Sequence, residues 1–322
     1  MARPLTGRAV PGEVIPGDLR VQWRLSDESY LGGTRSRTWR VRRGASAFAV
    51  KWLPVGVRAD WRYETEVMAA LRAADWPAPV LVEEPVVRDD GIWRLFAWLP
   101  GETAPVGDGS DAEGFNRGRL LAEFHATSSS LGAIGRRDGF ELPREAVSDP
   151  LLDRWLTVHE QRLPEEGRIL RTYREAAADL LAEHEPALAS AVPSVVPSGV
   201  IHGDFTHWNL LFESGGPSGI LDFEACHHNH LVADFALAWR GDHDEVLRGY
   251  DSVRPLSETE WHLVWPTYWA WLFLGVQEIL AGHYARPGGA ARPARLDWQV
   301  RHLLKDSDLL RARCGGKQLD GA

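Results

Sequence analysis

The stretch from residue 201 to 224 constrains this chain more than any other. It reads Ile201-His202-Gly203-Asp204-Phe205-Thr206-His207-Trp208-Asn209-Leu210-Leu211 and, shortly afterwards, Ile220-Leu221-Asp222-Phe223-Glu224. Apolar runs flank a polar loop, and Leu210 to Phe212 followed by Gly219 to Phe223 has the alternation and turn residues of a β-hairpin. Any fold this chain adopts must therefore present a loop carboxylate (Asp204), an amide five positions later (Asn209) and a second carboxylate (Asp222) 18 positions after the first, at the ends of short strands.

That set of groups suits phosphoryl transfer. Mg²⁺ is a hard cation that keeps several waters and takes few protein oxygens, so one carboxylate (Asp222) and one amide carbonyl (Asn209) suffice beside nucleotide phosphates. Asp204 accepts the proton of an attacking hydroxyl or orients it, and His202, also counted with the catalytic residues, fixes the loop backbone by hydrogen bonding. The order H-x-D-x-x-x-x-N followed by an Asp at a strand end is that of a kinase catalytic loop and metal-binding turn.

Such chemistry also needs a cation for the phosphates, and the basic composition narrows the search. Lysine stands only at Lys51, Lys305 and Lys317, arginine filling the other basic positions. Lys51 ends the apolar run Ala47 to Val50, which resembles the V-A-I-K strand whose ammonium pairs nucleotide phosphates. Glu64, on the amphipathic segment Arg62 to Leu71, is the expected partner that holds Lys51 in place, in preference to Glu66. Gly32 and Gly33, between two strand-like runs, are expected to bring backbone close to phosphate, although the segment is a poor match to G-x-G-x-x-G. The strand Ile92 to Leu99 ends in Pro100-Gly101, an expected hinge where adenine would hydrogen-bond to backbone around Ala97 to Leu99. No G-x-x-x-x-G-K-[ST] occurs, which excludes a P-loop.

Taken together these pieces resemble the aminoglycoside phosphotransferase and choline kinase superfamily of protein-kinase-like small-molecule kinases, from about Leu31 to Trp239. The motifs that carry the likeness are His202-Gly203-Asp204 to Asn209, Leu221-Asp222-Phe223 and Ala233-Asp234-Phe235-Ala236, with Lys51, Glu64, Trp76 to Val80, Leu99 to Glu102 and Leu121 to His125 in support. The resemblance implies Asp204 as catalytic base, Asn209 and Asp222 as Mg²⁺ ligands, Lys51 on the phosphates of ATP or GTP, and Asp234 as a brace behind the catalytic loop. It implies an α+β, two-lobed fold, with a small β-rich lobe over residues 1–99 for nucleotide and a larger, mainly helical lobe over 100–322 for catalysis and acceptor. The thin glycine loop, and Glu224 where protein kinases place glycine after Asp-Phe, make protein substrates less suitable acceptors than small molecules.

With 322 residues, 44% hydrophobic and 25% charged, the chain has ample core for two lobes. A net charge of -9 argues against nucleic acid as a partner. The two cysteines, Cys226 and Cys314, exclude a disulfide framework, and the lack of a signal-peptide core or an apolar membrane-length run makes a cytoplasmic monomer or homodimer the expectation.

Acceptor contacts are expected from the helical segment 149–190, with Asp153 and Glu160 as acidic candidates, and from His227 and His228 just after Asp222. A capping box at Ser257-Glu258-Thr259-Glu260 opens a helix expected to kink at Pro266. Its Trp261, Trp265, Tyr268, Trp269 and Trp271 are mostly core, with room for one or two on a ring-shaped acceptor. Cys226, His227, His228 and His230 are a weaker zinc alternative without a distant second ligand pair. The functional readings are an ATP- or GTP-dependent O-phosphotransferase for an antibiotic, a metabolic kinase for choline, homoserine or a sugar, and a nucleotide-binding regulator without turnover.

Overall fold

The computed structural model describes residues 14–33, 36–54, 60–103, 111–131, 134–189, 196–239, 243–285, 292–305 and 307–314. These fall into two compact units, one of residues up to 104 together with 210–224, the other of 105–209 together with 225 onward. The sequence boundary at 99/100 thus moves a few residues, and the hairpin after the catalytic loop joins the N-terminal unit. The reason is a strand pairing described below.

In the N-terminal unit a short helix α1 (Gly17–Gln22) precedes β1 (Ser26–Gly32), β2 (Arg37–Arg43) and β3 (Ser46–Pro54), then α2 (Trp61–Ala73), β4 (Val86–Arg88) and β5 (Gly91–Ala97). The sheet order is β1-β2-β3-β5-β4, antiparallel throughout. Alternation along the strands sends Trp39, Val41, Val50, Trp52, Trp93 and Leu95 into one core with Ile15, Leu19 and Trp23. Trp39 and Trp93 stack with centroids 5.6 Å apart. Asp60 caps α2 by accepting the N–H groups of Arg62 and Tyr63. The helix buries Tyr63, Val67 and Leu71 at four-residue spacing, with Glu64 and Met68 beside them.

β6 (Glu102–Thr103) then pairs with a later strand. After β7 (Ser198–Ile201) of the other unit, β8 (Leu210–Glu213) and β9 (Gly216–Ile220) form the expected hairpin, and Glu102 to Thr103 adds to its edge as the order β6-β8-β9. The second strand stops at Ile220, so Asp222 stands beyond it in a turn.

The C-terminal unit is mainly helical: α3 (Asp111–Ser128), α4 (Pro143–Val147), α5 (Pro150–Arg162), α6 (Pro164–Glu183), α7 (Glu185–Leu188), α8 (Phe235–Ala238), α9 (His243–Val253), α10 (Glu258–Tyr284), α11 (Asp297–Leu303) and α12 (Asp308–Cys314). One two-stranded ribbon pairs β7 with β10 (His227–His230), antiparallel, with Ile201 opposite His227. α3 and α9 meet through bare backbone. A Cβ on Gly118 would lie 2.0 Å from the Val246 carbonyl oxygen, and one on Gly249 would lie 1.9 Å from that of Phe115. Only glycine permits this approach, and it brings Tyr250 of α9 against His125 of α3.

The capping box at Ser257 and Glu260 opens α10 as the sequence indicates. The helix runs through Pro266, whose ring removes one backbone donor. The Thr267 hydroxyl next to it donates back to the carbonyls of Leu263 and Val264 within the helix. Trp261, Trp265, Tyr268 and Trp269 are all buried, and Trp271 packs edge-on against Trp298. Trp261, Trp265, Tyr268 and Trp269 are thus core, as expected for most of these aromatics, while Trp271 is half-buried. No helix among the described residues is long and apolar enough to cross a membrane.

Candidate active site

The groups singled out in the sequence assemble in two places, one in each unit. In the N-terminal unit, register decides which charges meet. β3 pairs with β5 so that Lys51 lies directly opposite Arg94. Directly opposed residues project to the same side of the sheet, so two cations stand side by side in a largely apolar setting. Three carboxylates answer them. Lys51 Nζ lies 2.7 Å from Asp222 Oδ1 and also pairs with Glu224, while Arg94 pairs with Glu64 and lies 3.9 Å from Glu224.

The expected Lys51–Glu64 pair is therefore corrected. Glu64 is held by Arg94, and the lysine is positioned by Asp222 and Glu224 instead. Burial alone would discharge Lys51, but the carboxylates of Asp222 and Glu224 outweigh it and hold the ammonium pKa above its ordinary value, with Arg94 opposing. Burial pushes the Glu224 carboxyl up, the like charge of Asp222 adds to this, and Lys51 and Arg94 pull it back. Arg94 is the residue that sequence reasoning missed. Its signal was present: a lone arginine inside the apolar strand Ile92 to Leu99 must find a buried partner.

Both side chains of the Arg94–Glu64 pair are only 2% exposed, so removing one leaves the other charge buried. Glu64→Ala is expected to lower the unfolding free energy by about 3–5 kcal/mol in denaturant titrations. A loss below roughly 1 kcal/mol, the value of an exposed pair, would show that the pair does not hold α2 to β5.

Asp222 itself adopts φ +64°, the left-handed region that non-glycine residues seldom enter. In this conformation its carboxylate lies against Lys51. Gly32 and Gly33 have φ of +114° and +134° at the β1–β2 turn. Of the backbone expected to meet adenine, the Ala97 N–H already donates to the Val80 carbonyl at 2.9 Å and that of Trp98 to Ala47 at 3.4 Å. The Ala97 N–H is thus already engaged, which leaves the Ala97 carbonyl and the Leu99 backbone for that expected contact.

In the C-terminal unit the loop of residues 202–209 follows β7. Gly203 has φ +77°, and a Cβ there would sit 2.4 Å from the Ala225 carbonyl oxygen, so no other residue fits. Phe205 is fully buried and packs on Phe124 of α3, anchoring the loop while Asp204 stays half-buried. The Asn209 side-chain amide donates to the Asp204 carbonyl at 2.9 Å, which fixes that amide with its Oδ1 turned away from the loop backbone. Thr206 donates its hydroxyl to Asp204 Oδ1 at 3.3 Å.

His202 is wholly buried, and its Nδ1 accepts the Asp204 N–H at 3.2 Å. It shapes the loop and is not placed to touch reactants, which corrects its grouping with the catalytic residues. Asp234 accepts the backbone N–H groups of both His202 and Gly203 at 2.8 Å.

The acceptor candidates fare differently. Asp153 and Glu160 both face Arg171, at 3.2 and 2.8 Å, and Arg174 adds a second cation 3.7 Å from Asp153. They tie α5 to α6 and are not the open acidic wall that the sequence suggested. His227 is buried, donates from Nδ1 to the Ala225 carbonyl, accepts from Asn229 at Nε2, and stacks on Phe140 at 4.7 Å. That leaves it no ring nitrogen for a substrate. His228 is half-buried on the other face of β10, and burial and Arg136 lower its pKa. The same alternation splits the Cys226 to His230 run between two faces, and no group of three or more His, Cys, Asp or Glu able to hold a metal occurs among the described residues.

The phosphotransferase enzyme family matches residues 28–259. Homoserine kinase of Neisseria meningitidis serogroup B is 31% identical over 202 residues, covering 56% of this chain and 60% of that protein. The match thus spans less than two thirds of that relative. Among solved structures, amicoumacin kinase hAmiN in complex with AMP-PNP, Ca²⁺ and its ligand superimposes with TM-score 0.62 at 13% identity over 90% of this chain and 93% of that one. Spectinomycin phosphotransferase in complex with ADP and spectinomycin gives 0.59 at 11% over 94% and 98%. The fold is accordingly protein-kinase-like, with an N-terminal antiparallel sheet and a mostly helical remainder.

Proposed function

This chain belongs to the phosphotransferase enzyme family, and we propose that within it the chain is an ATP-dependent O-phosphotransferase that phosphorylates a small hydroxylated molecule, with a hydroxy amino acid as acceptor. The chemistry rests on one observation above the others: Lys51 lies 2.7 Å from an Asp222 carboxylate held in a left-handed turn. A phosphate-binding ammonium and a metal-binding carboxylate are thereby set side by side before any ligand arrives.

The donor set fits Mg²⁺. Asp222 offers a carboxylate and Asn209 a carbonyl oxygen, both hard ligands, and nucleotide phosphates complete such a shell. When bound, the metal neutralises charge on the phosphates. The chain's own residues do the rest. Lys51 holds the phosphates, the backbone at Gly32 and Gly33 approaches them, the Leu99 N–H meets adenine, and Asp204 orients the acceptor hydroxyl and takes its proton. GTP would be held by the same groups.

For the acceptor, likeness to homoserine kinases at 31% identity outweighs likeness to antibiotic-modifying folds at 11–13%, which speaks to architecture alone. The charge pattern agrees. Asp153 and Glu160, the acidic acceptor candidates, are paired with Arg171 and Arg174 between α5 and α6. A resistance kinase for an antibiotic remains the second reading, and a regulator without turnover is disfavoured by the intact set Lys51, Asp204, Asn209 and Asp222.

Initial rates with ATP and Mg²⁺ over homoserine, choline, sugars and aminoglycosides separate these readings. The expected result is the highest kcat/KM with homoserine. Turnover of antibiotics alone would overturn the acceptor assignment, and no turnover of any acceptor would overturn the kinase assignment.

A further inference from the structure

Behind the catalytic loop runs a chain of buried polar groups that the transfer chemistry does not itself require. Asp234 accepts two loop N–H groups and lies 3.0 Å from His125 Nε2. His125 Nδ1 lies 2.8 Å from the Tyr250 hydroxyl, which lies 3.1 Å from Arg254 Nη1. Arg254 Nη2 is 2.6 Å from Glu260 Oε1, and Glu260 Oε2 accepts the N–H of Ser257 in the capping box that opens α10. His125 and Asp234 have no exposed side-chain surface, Tyr250 is fully buried, and Glu260 is nearly so.

Every proton along this chain can be assigned. Asp234 is ionised: burial opposes its charge, but the bond from His125 and the backbone donors prevail and hold its carboxyl below the usual range. An ionised carboxylate can only accept, so His125 Nε2 carries a proton. Burial holds His125 neutral, and a neutral imidazole has one N–H, so Nδ1 must accept. Its donor is the Tyr250 O–H, and the tyrosine oxygen in turn accepts from Arg254, which can only donate. The direction of donation is thus the same from Arg254 to Asp234.

We propose that Tyr250 is a positioning residue: Asp234 requires the His125 proton on Nε2, the Tyr250 hydroxyl supplies the donor that the bare Nδ1 then needs, and the ring pinned from both sides keeps Asp234 where it holds the backbone of His202 and Gly203. The groups facing His125 are Asp234 behind the loop, Tyr250 on α9, Arg254 beyond it and Glu260 on α10. The other tautomer would turn an N–H toward the hydroxyl and a lone pair toward the carboxylate. Two acceptors would then face each other in a buried site, at a cost comparable to a lost charged hydrogen bond. The Gly118 and Gly249 backbone contacts are what let α9 deliver Tyr250 to this place.

The role of the loop in transfer rests on the kinase reading, so the test has arms that do not use turnover. Full-length protein labelled with ¹⁵N-histidine, recorded at about pH 7, should show His125 as a single Nε2–H tautomer. Tyr250→Phe keeps the ring and removes the hydroxyl. It should leave His125 Nδ1 without its donor, move the His125 ring-nitrogen signals while the proton stays on Nε2, shift the amide signals of His202 and Gly203, and lower kcat about 10-fold with both KM values unchanged. Arg254→Met, which keeps the tyrosine, should shift these signals less. A wild-type Nδ1–H tautomer would overturn the proposal whether or not the variants fold, as would unmoved His202 and Gly203 amides in Tyr250→Phe. If no acceptor is phosphorylated the kinase reading falls, while tautomer and amide shifts still decide this one.

Discussion

Replacing Asp204 by Ala is expected to lower kcat about 10²- to 10⁴-fold while leaving nucleotide affinity nearly unchanged. The side chain is half-buried on a loop whose backbone is fixed from several sides: His202 Nδ1 accepts the Asp204 N–H, and the Asp204 carbonyl accepts from Asn209 and from the Thr206 N–H. With the backbone so held, truncating the carboxylate removes the base without releasing the loop. Phosphoryl transfer has a loose transition state with little proton movement, so part of the loss will be lost orientation of the hydroxyl. Steady-state kinetics with the preferred acceptor make the measurement, nucleotide binding by calorimetry being the control. Turnover near wild type would remove Asp204 from the mechanism.

What was legible in the sequence was what is local in it. His202, Asp204, Thr206 and Asn209 sit within one loop and bond to one another, so their grouping was legible, whereas the burial of His202 and the Asp234 contacts depend on packing. The hairpin was legible for the same reason, although its second strand runs over Gly216–Ile220 and not over the expected 219–223. The partner of Lys51 was not. Choosing between Glu64 and another carboxylate requires the register of β3 on β5, which puts Arg94 opposite Lys51 and hands it Glu64. Periodicity on α2 does identify Glu64 as inward-facing, but an inward carboxylate takes whichever cation the sheet offers.

Charge on helices is equally ambiguous without neighbours. Asp153 and Glu160 look available along their own helix, yet α6 brings Arg171 to both. The unit boundary depends on Glu102 and Thr103 pairing with Phe212 and Leu211 more than 100 positions later, and no local pattern announces that. The Tyr250–Arg254–Glu260 chain escaped for a related reason. Three polar residues on and after a helix read as solvated, yet Tyr250 and Glu260 are buried and Arg254 is half-buried.

Asp222→Asn is expected to have the largest effect, a loss of at least about 10³-fold in kcat/KM at low Mg²⁺, with partial recovery as the metal is raised. The substitution keeps size, and asparagine tolerates the left-handed φ of +64° at this position, so the turn should persist. What changes is charge. Asp222 is one of two carboxylates that hold Lys51 charged and in place, and Glu224 alone would then face both Lys51 and Arg94. Losing the charged ligand weakens the metal site, while Asn209 and the phosphates still offer oxygens, which is why excess Mg²⁺ should recover some activity. Lys51 should also lean further onto Glu224 and draw away from the phosphates, so KM for ATP should rise along with the fall in kcat. Rates measured against Mg²⁺ concentration, with circular dichroism to verify the fold, test both parts. Undiminished transfer by the variant, or by the unmodified protein in the presence of a chelator, would contradict a metal-dependent kinase in which Asp222 is the charged ligand.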